Sequence, residues 1–295
     1  MVNQKKSYIF AFLAIILWST VATAFKISLR SFDFIQLLFY ATIVTIIILS
    51  IVLIAQNRFL ELFRFSAKDY LKSAFLGFLN PFLYYMVLFK AYVLLPAQLA
   101  QPLNYTWPIM LVILSVPILK QKLTAKSIIA MIVSFSGVLF ISMKGDFFNY
   151  SNVNLFGVFL AVGSSVIWAL FWIFNLKDKR EETVKLLLNF FFGLIFILPV
   201  LFIYSEFKIH DIKSYLSVGY VGFFEMGITF LLWLKAMKLS KSNDRISSFV
   251  FISPFLSLIF IYYFLKEDIY FTTIIGLILI ILGIIVQKIR FLDKR

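Results

Sequence analysis

The chain contains no cysteine and a single histidine, His210, among its 295 residues. The absence of cysteine excludes disulfides, thiolate nucleophiles and cysteine-ligated metal sites, and one histidine cannot form a metal-binding cluster. Charged residues make up only 14% of the chain, against about one quarter in an average soluble domain. The sequence also lacks the GxxxxGK[ST] loop that cradles nucleotide phosphates. We therefore predict no cofactor, no bound metal and no direct use of ATP.

Hydrophobic residues are abundant, at 62% of the chain, and phenylalanine alone occurs 37 times. The formal net charge is +14, which in a soluble protein would indicate a nucleic-acid partner. Here the basic residues lie between long apolar runs, as in membrane proteins. We therefore predict contact with membrane lipid and no nucleic-acid partner.

The apolar runs are long enough to cross a bilayer, whose hydrocarbon core of roughly 30 Å requires about 20 residues per helix. The sequence predicts an all-α polytopic membrane protein with ten transmembrane helices. They are predicted at residues 7–29, 33–55, 70–89, 96–119, 124–143, 155–176, 184–204, 214–234, 246–265 and 270–287. The first run has features of a signal peptide, but it continues past Ala24, so we expect it to be retained.

Basic residues predict the orientation of these spans. With the N-terminus in the cytoplasm, 21 of the 28 lysines and arginines fall on the cytoplasmic side and 7 on the other. Such an excess is typical of cytoplasmic loops. We therefore predict a multi-pass protein of the cytoplasmic (inner) membrane with both termini inside.

A weak internal repeat divides the chain at its middle. "LFKAYVLLPAQ" at 88–98 aligns with "WLKAMKLSKSN" at 233–243, and "LWSTVATAFKISLR" at 17–30 aligns with "IWALFWIFNLKDKR" at 167–180. This indicates two five-helix repeats, at residues 1–145 and 150–295. Because five is odd, the halves are predicted to be inverted in the membrane, as in many secondary transporters.

Two polar residues are predicted near the middle of equivalent spans. Glu225 lies in the eighth span, and the repeat aligns it with Asn80 in the third. An ionisable group at mid-membrane costs at least about 2.5–3.5 kcal/mol, so it requires a reason. Glu225 could bind an amine or another cation, carry a proton, or form a packing hydrogen bond with a neighbouring helix.

The stretch "LPAQLAQPLNYTWP" at 95–108 combines prolines with amides inside an apolar span. Prolines within a helix free backbone carbonyls, which is tolerated in a membrane where protein or a wet cavity satisfies them. The alternative is helix packing through interhelical amide hydrogen bonds. We favour a substrate-lining segment. Its predicted lining residues are Gln98, Gln101, Asn104, Tyr105 and Trp107.

Three further aromatic residues lie away from the membrane interfaces, namely Trp18, Tyr84 and Trp168. Trp18 and Trp168 correspond across the repeat. Either could pack in the core, stack on a planar or apolar substrate, or hold a cation. Lys26 and Lys90 are predicted near the outer span ends, where lysines extend to the headgroups or contact a carboxylate.

The chain resembles the drug/metabolite transporter superfamily, EamA type, over essentially its full length. The matching stretches are "LWSTVATAFKISL", "NYTWPIMLVILSVPILKQKLT", "GSSVIWALFW" and "SPFLSLIFIYYFLKE". "NYTWP" and "LWST" are similar to the aromatic amino acid exporter branch. The resemblance implies ten helices in an inverted repeat and a central cavity lined by aromatic residues. Those residues would be Trp18, Tyr84, Tyr105, Trp107 and Trp168.

This chain departs from the family pattern at one feature. In the family that it resembles, spans four and nine often end in a Gly-Glu pair. Here the pairs are Lys120-Gln121 and Lys266-Glu267. We predict a secondary transporter that exports amino acids, with a small-molecule substrate and no predicted protein partner. The alternative cargo is S-adenosylmethionine or another nucleoside-like metabolite, taken up by the cell. A membrane enzyme and a structural membrane protein are the competing classes. The outer loops lack the cluster of acids, histidines or arginines that lipid-phosphate chemistry requires.

Overall fold

The computed structural model describes residues 3–120, 125–143, 154–206, 208–240 and 250–288. All regular secondary structure in these residues is helical. Seven helical segments are long and apolar enough to cross a membrane, and three shorter apolar helices accompany them. The chain is therefore a polytopic, multi-pass membrane protein.

The helices follow one another with short connections. They are α1 (Gln4–Ser28), α2 (Phe34–Ala55), α3 (Ala67–Leu94), α4 (Ala97–Asn104), α5 (Trp107–Leu119), α6 (Ala125–Ser142), α7 (Leu155–Leu176), α8 (Glu182–Tyr204), α9 (Ile212–Met237), α10 (Ser253–Leu265) and α11 (Phe271–Lys288).

Each apolar run of the sequence coincides with helix, and predicted span four is divided between α4 and α5. The predicted fifth, ninth and tenth spans correspond to the shorter apolar helices. Residues 246–249 of the predicted ninth span lie outside the described residues. The break between α4 and α5 falls at Tyr105 and Thr106. It follows Pro102 and precedes Pro108, whose missing N–H groups weaken helix continuity here.

Side-chain caps set where several helices begin. At the start of α2, the side chain of Asp33 accepts hydrogen bonds from the backbone N–H groups of Ile35 and Gln36. At the start of α3, the hydroxyl of Ser66 accepts a hydrogen bond from the backbone N–H of Asp69. These caps satisfy amide groups that have no partner within the helix. The start of each of these two helices is therefore encoded locally.

The main helix pairs each join one helix from the first half of the chain to one from the second half. α1 packs against α9, and α3 packs against α7. α2 lies against α8, and α6 lies against α11. In the last pair Gly137 and Gly276 meet with no room for a side chain on either residue. Small residues allow this close approach between membrane helices.

Two helices contain a wide, π-helical stretch near the middle of the bundle. It spans Phe78–Leu83 in α3 and Val221–Ile228 in α9. In α3 the cause is Pro81, which cannot donate to the carbonyl of Gly77 and widens the turn. Asn80 consequently leaves helical geometry, with φ −150° and ψ 118°. Such turns are frequent at functional sites, and here they hold Asn80 and Glu225.

Candidate functional site

A cavity of about 100 Å³ lies between α1, α3, α4, α7 and α9. Its walls are mainly aromatic, with one carboxylic acid and two amides. The lining residues are Trp18, Val21, Phe25, Tyr84, Leu88, Tyr92, Gln101, Asn104, Tyr105, Trp107, Trp168, Trp172, Glu225, Trp233 and Val250. We call this space the central cavity.

The central cavity brings together eight of the ten residues predicted from sequence. These are Trp18, Tyr84, Gln101, Asn104, Tyr105, Trp107, Trp168 and Glu225. Asn80 and Gln98 do not line it.

Two aromatic pairs form part of the wall of the central cavity. Trp18 of α1 packs on Trp233 of α9, with ring centroids 5.2 Å apart and planes 55° apart. Tyr84 of α3 packs on Trp168 of α7, with centroids 4.6 Å apart and planes 31° apart. Phe230 joins the two pairs, because its ring lies 6.5 Å from that of Trp18 and 5.7 Å from that of Trp168. The faces and edges of these rings suit an apolar, planar or cationic group.

Glu225 supplies the one carboxyl group among the described lining residues. Its side chain is held from α3 by Tyr85, whose hydroxyl donates to Glu225 Oε1 across 3.2 Å. The second oxygen, Oε2, is buried and accepts no hydrogen bond within the described residues. A carboxylate in this position therefore retains an unsatisfied acceptor, which a donor or cation in the cavity would satisfy.

The two amides of the lining are fixed by hydroxyl groups on other helices. Asn104 accepts from the Tyr84 hydroxyl across 3.3 Å and donates from Nδ2 to Ser164 across 2.8 Å. Gln101 accepts from the Ser257 hydroxyl through Oε1. Because its oxygen is taken, Gln101 can present its Nε2 group to a ligand as a donor.

Asn80 is buried inside the protein, and neither its Oδ1 nor its Nδ2 has a partner within the described residues. Gln98 lies one helical turn before Gln101, near the start of α4. Its Nε2 donates to the carbonyl of Asp268, and its Oε1 accepts from the backbone N–H of Tyr270. Gln98 thus ties α4 to the connection between α10 and α11.

Sequence reasoning did not single out Trp172, Trp233, Tyr92 or Phe25, which also line the central cavity. Trp172 could have been found, because it lies four residues after Trp168 and shares its helix face. Trp233 could not, because nothing local to its sequence indicates that it packs on Trp18.

A charged cluster lies at the end of the bundle where α1 begins. Arg180 pairs with Asp178 across 2.6 Å, and Lys72 lies 3.6 Å from the same carboxylate. Burial raises the pKa of Asp178, but the hydrogen bonds and charge of Arg180 and the charge of Lys72 lower it by more, so the pKa lies below its ordinary value. The neighbouring Lys185 is buried and pairs with Glu182 across 2.7 Å. This cluster joins α3 to the α7–α8 connection.

Several known proteins with similar sequences are described as transporters. The profile of the EamA-like transporter family matches residues 5–143 and again residues 155–287. An uncharacterized transporter of Clostridium kluyveri is 26% identical over 96% of this chain and 93% of its own length. An uncharacterized transporter of Archaeoglobus fulgidus is 24% identical over 95% of this chain and 97% of its own length.

A protein of known crystal structure has the same fold, with a TM-score of 0.69 and 18% identity over 97% of both chains. The family profile covers most of this chain in two consecutive matches, and both of these full-length relatives are described as transporters. The multi-pass helical bundle and its buried, partly polar cavity suit movement of a small substrate. The chain belongs to the EamA-like transporter family.

Proposed function

We propose that the protein is a secondary transporter that exports amino acids across the cytoplasmic membrane by alternating access. The observation that carries this proposal is the placement of Glu225 in a cavity walled by Trp18, Tyr84, Trp168 and Trp233. A carboxylate beside aromatic faces matches an ammonium group attached to an apolar or aromatic side chain.

The polar groups of the central cavity accommodate both ends of an amino acid. The ammonium group of the amino acid would donate a hydrogen bond to Oε2 of Glu225, which has no partner among the described residues. The Nε2 group of Gln101 would donate to the carboxylate of the amino acid. The apolar side chain would lie against the Trp18–Trp233 or Tyr84–Trp168 pair. In this proposal all ten residues predicted from the sequence contribute to substrate binding. Asn80 and Gln98 would act from outside the cavity lining.

Ten transmembrane helices in two inverted repeats, at residues 1–145 and 150–295, form the second part of the proposal. The paired packing of helices, the wide turns in α3 and α9, and the two matches of the family profile support it. Lys120 and Lys266 add support, since both have left-handed backbone angles, with φ of 54° and 58°. Reporter fusions to the termini and connections would test this topology, which places both termini in the cytoplasm.

Counterflow in proteoliposomes tests the transport proposal. Vesicles loaded with unlabelled L-phenylalanine should accumulate labelled L-phenylalanine or L-leucine, whereas protein-free vesicles should not. Export is then tested in cells fed a phenylalanine-containing dipeptide, where expression of the protein should increase the phenylalanine released. Absence of counterflow with every neutral amino acid would refute the assigned substrate.

The same aromatic and acidic walls favour a second cargo, S-adenosylmethionine or another nucleoside-like metabolite. An adenine ring can stack on these aromatic faces, and a sulfonium cation can lie over an indole. Counterflow of labelled S-adenosylmethionine with no counterflow of amino acids would select this alternative.

A further inference from the structure

A second cavity, of about 330 Å³, opens at the end of the bundle where α1 ends. It lies between α1, α3 and the connection that follows α10. Its charged lining residues are Lys26, Arg30 and Glu267, and the others are Leu29, Tyr92, Val93 and Leu265. We call it the outer pocket, because the distribution of basic residues predicts that this end faces outward.

The carboxylate of the outer pocket, Glu267, accepts hydrogen bonds from two backbone N–H groups. Glu267 Oε1 accepts the N–H of Ala97 across 2.9 Å, and Oε2 accepts the N–H of Gln98 across 3.2 Å. These are unpaired amides at the start of α4, where the helix dipole also favours negative charge. Both carboxylate oxygens therefore bind the helix start, and neither forms an ion pair with Lys26 or Arg30 within the described residues, although the charge still attracts Lys26.

The cations retain hydrogen-bond donors. Lys26 Nζ donates to the carbonyls of Tyr92 and Leu95 across 2.8 and 3.1 Å, which leaves one of its three N–H groups free. The exposed guanidinium of Arg30 has no hydrogen bond or ion pair within the described part of the chain. Arg30 lies in the turn just after α1, and its side chain lines the outer pocket together with that of Lys26.

The outer pocket adjoins the central cavity through a shared residue, Tyr92, which lines both. Only the side chain of Tyr92 would therefore separate a small anion bound between Lys26 and Arg30 from the central cavity. Arginine binds planar anions such as carboxylates through two parallel N–H groups, and a lysine beside it adds a point charge.

We infer that the outer pocket is a binding site for a carboxylate, at which the cargo pauses between the central cavity and the outer solution. The identity of the carboxylate as that of an amino acid rests on the proposed function. A lipid headgroup phosphate shares the same chemistry, and the experiment below distinguishes the two sources.

The absence of cysteine from the chain gives a direct test, because Val93→Cys introduces a single thiol at the wall of the outer pocket. The reaction rate of this thiol is measured with an anionic sulfonatoethyl and a cationic trimethylammonioethyl methanethiosulfonate. The protein is reconstituted in phosphatidylcholine vesicles. Each rate is divided by that of the same reagent with free 2-mercaptoethanol.

We expect the normalised rate of the anionic reagent to exceed that of the cationic one at least about fivefold. Adding Arg30→Gln should remove this preference. Lys213→Gln is the matched control, since Lys213 is an exposed cation near the start of α9 that does not line the outer pocket. It should leave the preference intact. L-phenylalanine should slow the anionic reagent, and L-phenylalaninamide, which has no carboxylate, should not.

Equal normalised rates, a preference that survives Arg30→Gln, or equal protection by both compounds would overturn the inference. Loss of the preference when anionic phospholipid is added would assign the site to a lipid phosphate and overturn its assignment to the cargo. These rates require no transport. If protection by L-phenylalanine persists while its counterflow fails, the proposed function is refuted and the carboxylate site stands.

Discussion

The hydroxyl of Tyr85 donates to Glu225 across 3.2 Å and so joins the middle of α3 to the wide turn of α9. Tyr85 is fully buried, and the hydrogen bond orients one carboxylate oxygen while leaving the other without a partner in the described residues. The acid is therefore held in place, and no cation of the described part of the chain forms an ion pair with it.

We expect Glu225→Gln to lower amino acid counterflow at least about tenfold, because a neutral amide cannot balance the charge of a bound ammonium group. Expression and the thermal unfolding midpoint in detergent should remain close to those of the wild type, since glutamine has nearly the same shape. Tyr85→Phe is the matched control, because it removes the hydrogen bond but keeps the carboxylate, and its loss should be smaller. Counterflow at the wild-type rate in Glu225→Gln would make Glu225 a structural residue.

Trp107 and Trp168 should respond differently to truncation. Trp168 is buried and packs against Tyr84, Phe171, Trp172 and Phe230. Trp168→Ala should cost about 3 kcal/mol or more of stability, the usual cost of truncating a buried aromatic residue.

Trp107 is only partly buried and lines the central cavity near the break between α4 and α5. Trp107→Ala should therefore change the ratio of phenylalanine to leucine counterflow while leaving the unfolding midpoint nearly unchanged. An equal loss of both substrates together with a lowered midpoint would show that Trp107 serves packing.

Glu267 should stabilise the start of α4 through its two backbone hydrogen bonds. Glu267→Ala removes both and should lower the free energy of unfolding by about 1 kcal/mol, as for other N-terminal caps. Glu267→Gln keeps one oxygen acceptor and should lose less. Asp268→Asn is the control, since the capping network uses the backbone carbonyl of Asp268. A wild-type unfolding midpoint in Glu267→Ala would contradict the capping role.

Asp178 should make stability sensitive to acid. Its pKa is raised by burial but lowered further by Arg180 and Lys72, so it lies below the ordinary value of about 3.9. A lowered pKa in the folded state stabilises the protein above the unfolded pKa, and this contribution is lost as pH falls through the folded value.

Asp178→Asn should consequently be destabilised relative to the wild type at pH 7, and the difference should shrink below about pH 4. Thermal unfolding of both proteins at pH 7 and at a pH below about 4 measures this difference. The same destabilisation at both pH values would show that the ion pair contributes nothing through its charge.

Most of the candidate site was accessible from sequence because acids, amides and tryptophans are rare in the middle of apolar runs. Glu225 and the amides of residues 95–108 were conspicuous for that reason. Gln98 and Gln101 differ only in position along α4, by about 4.5 Å of helix rise. That distance places Gln98 beside Asp268 and Tyr270, and Gln101 at the central cavity. Sequence spacing cannot resolve this difference, because both side chains lie near the same helix face.

Composition and hydropathy were enough to establish that the chain is helical, where its apolar helices lie and that they occupy a membrane, because backbone groups in lipid must be satisfied within each segment. Those properties are local. Which residues meet across helices is not local, as the contacts of Trp18 with Trp233 and of Tyr85 with Glu225 demonstrate. Both contacts join residues far apart in the chain. They depend on the rotation of each helix about its axis, which is set only when the helices pack together.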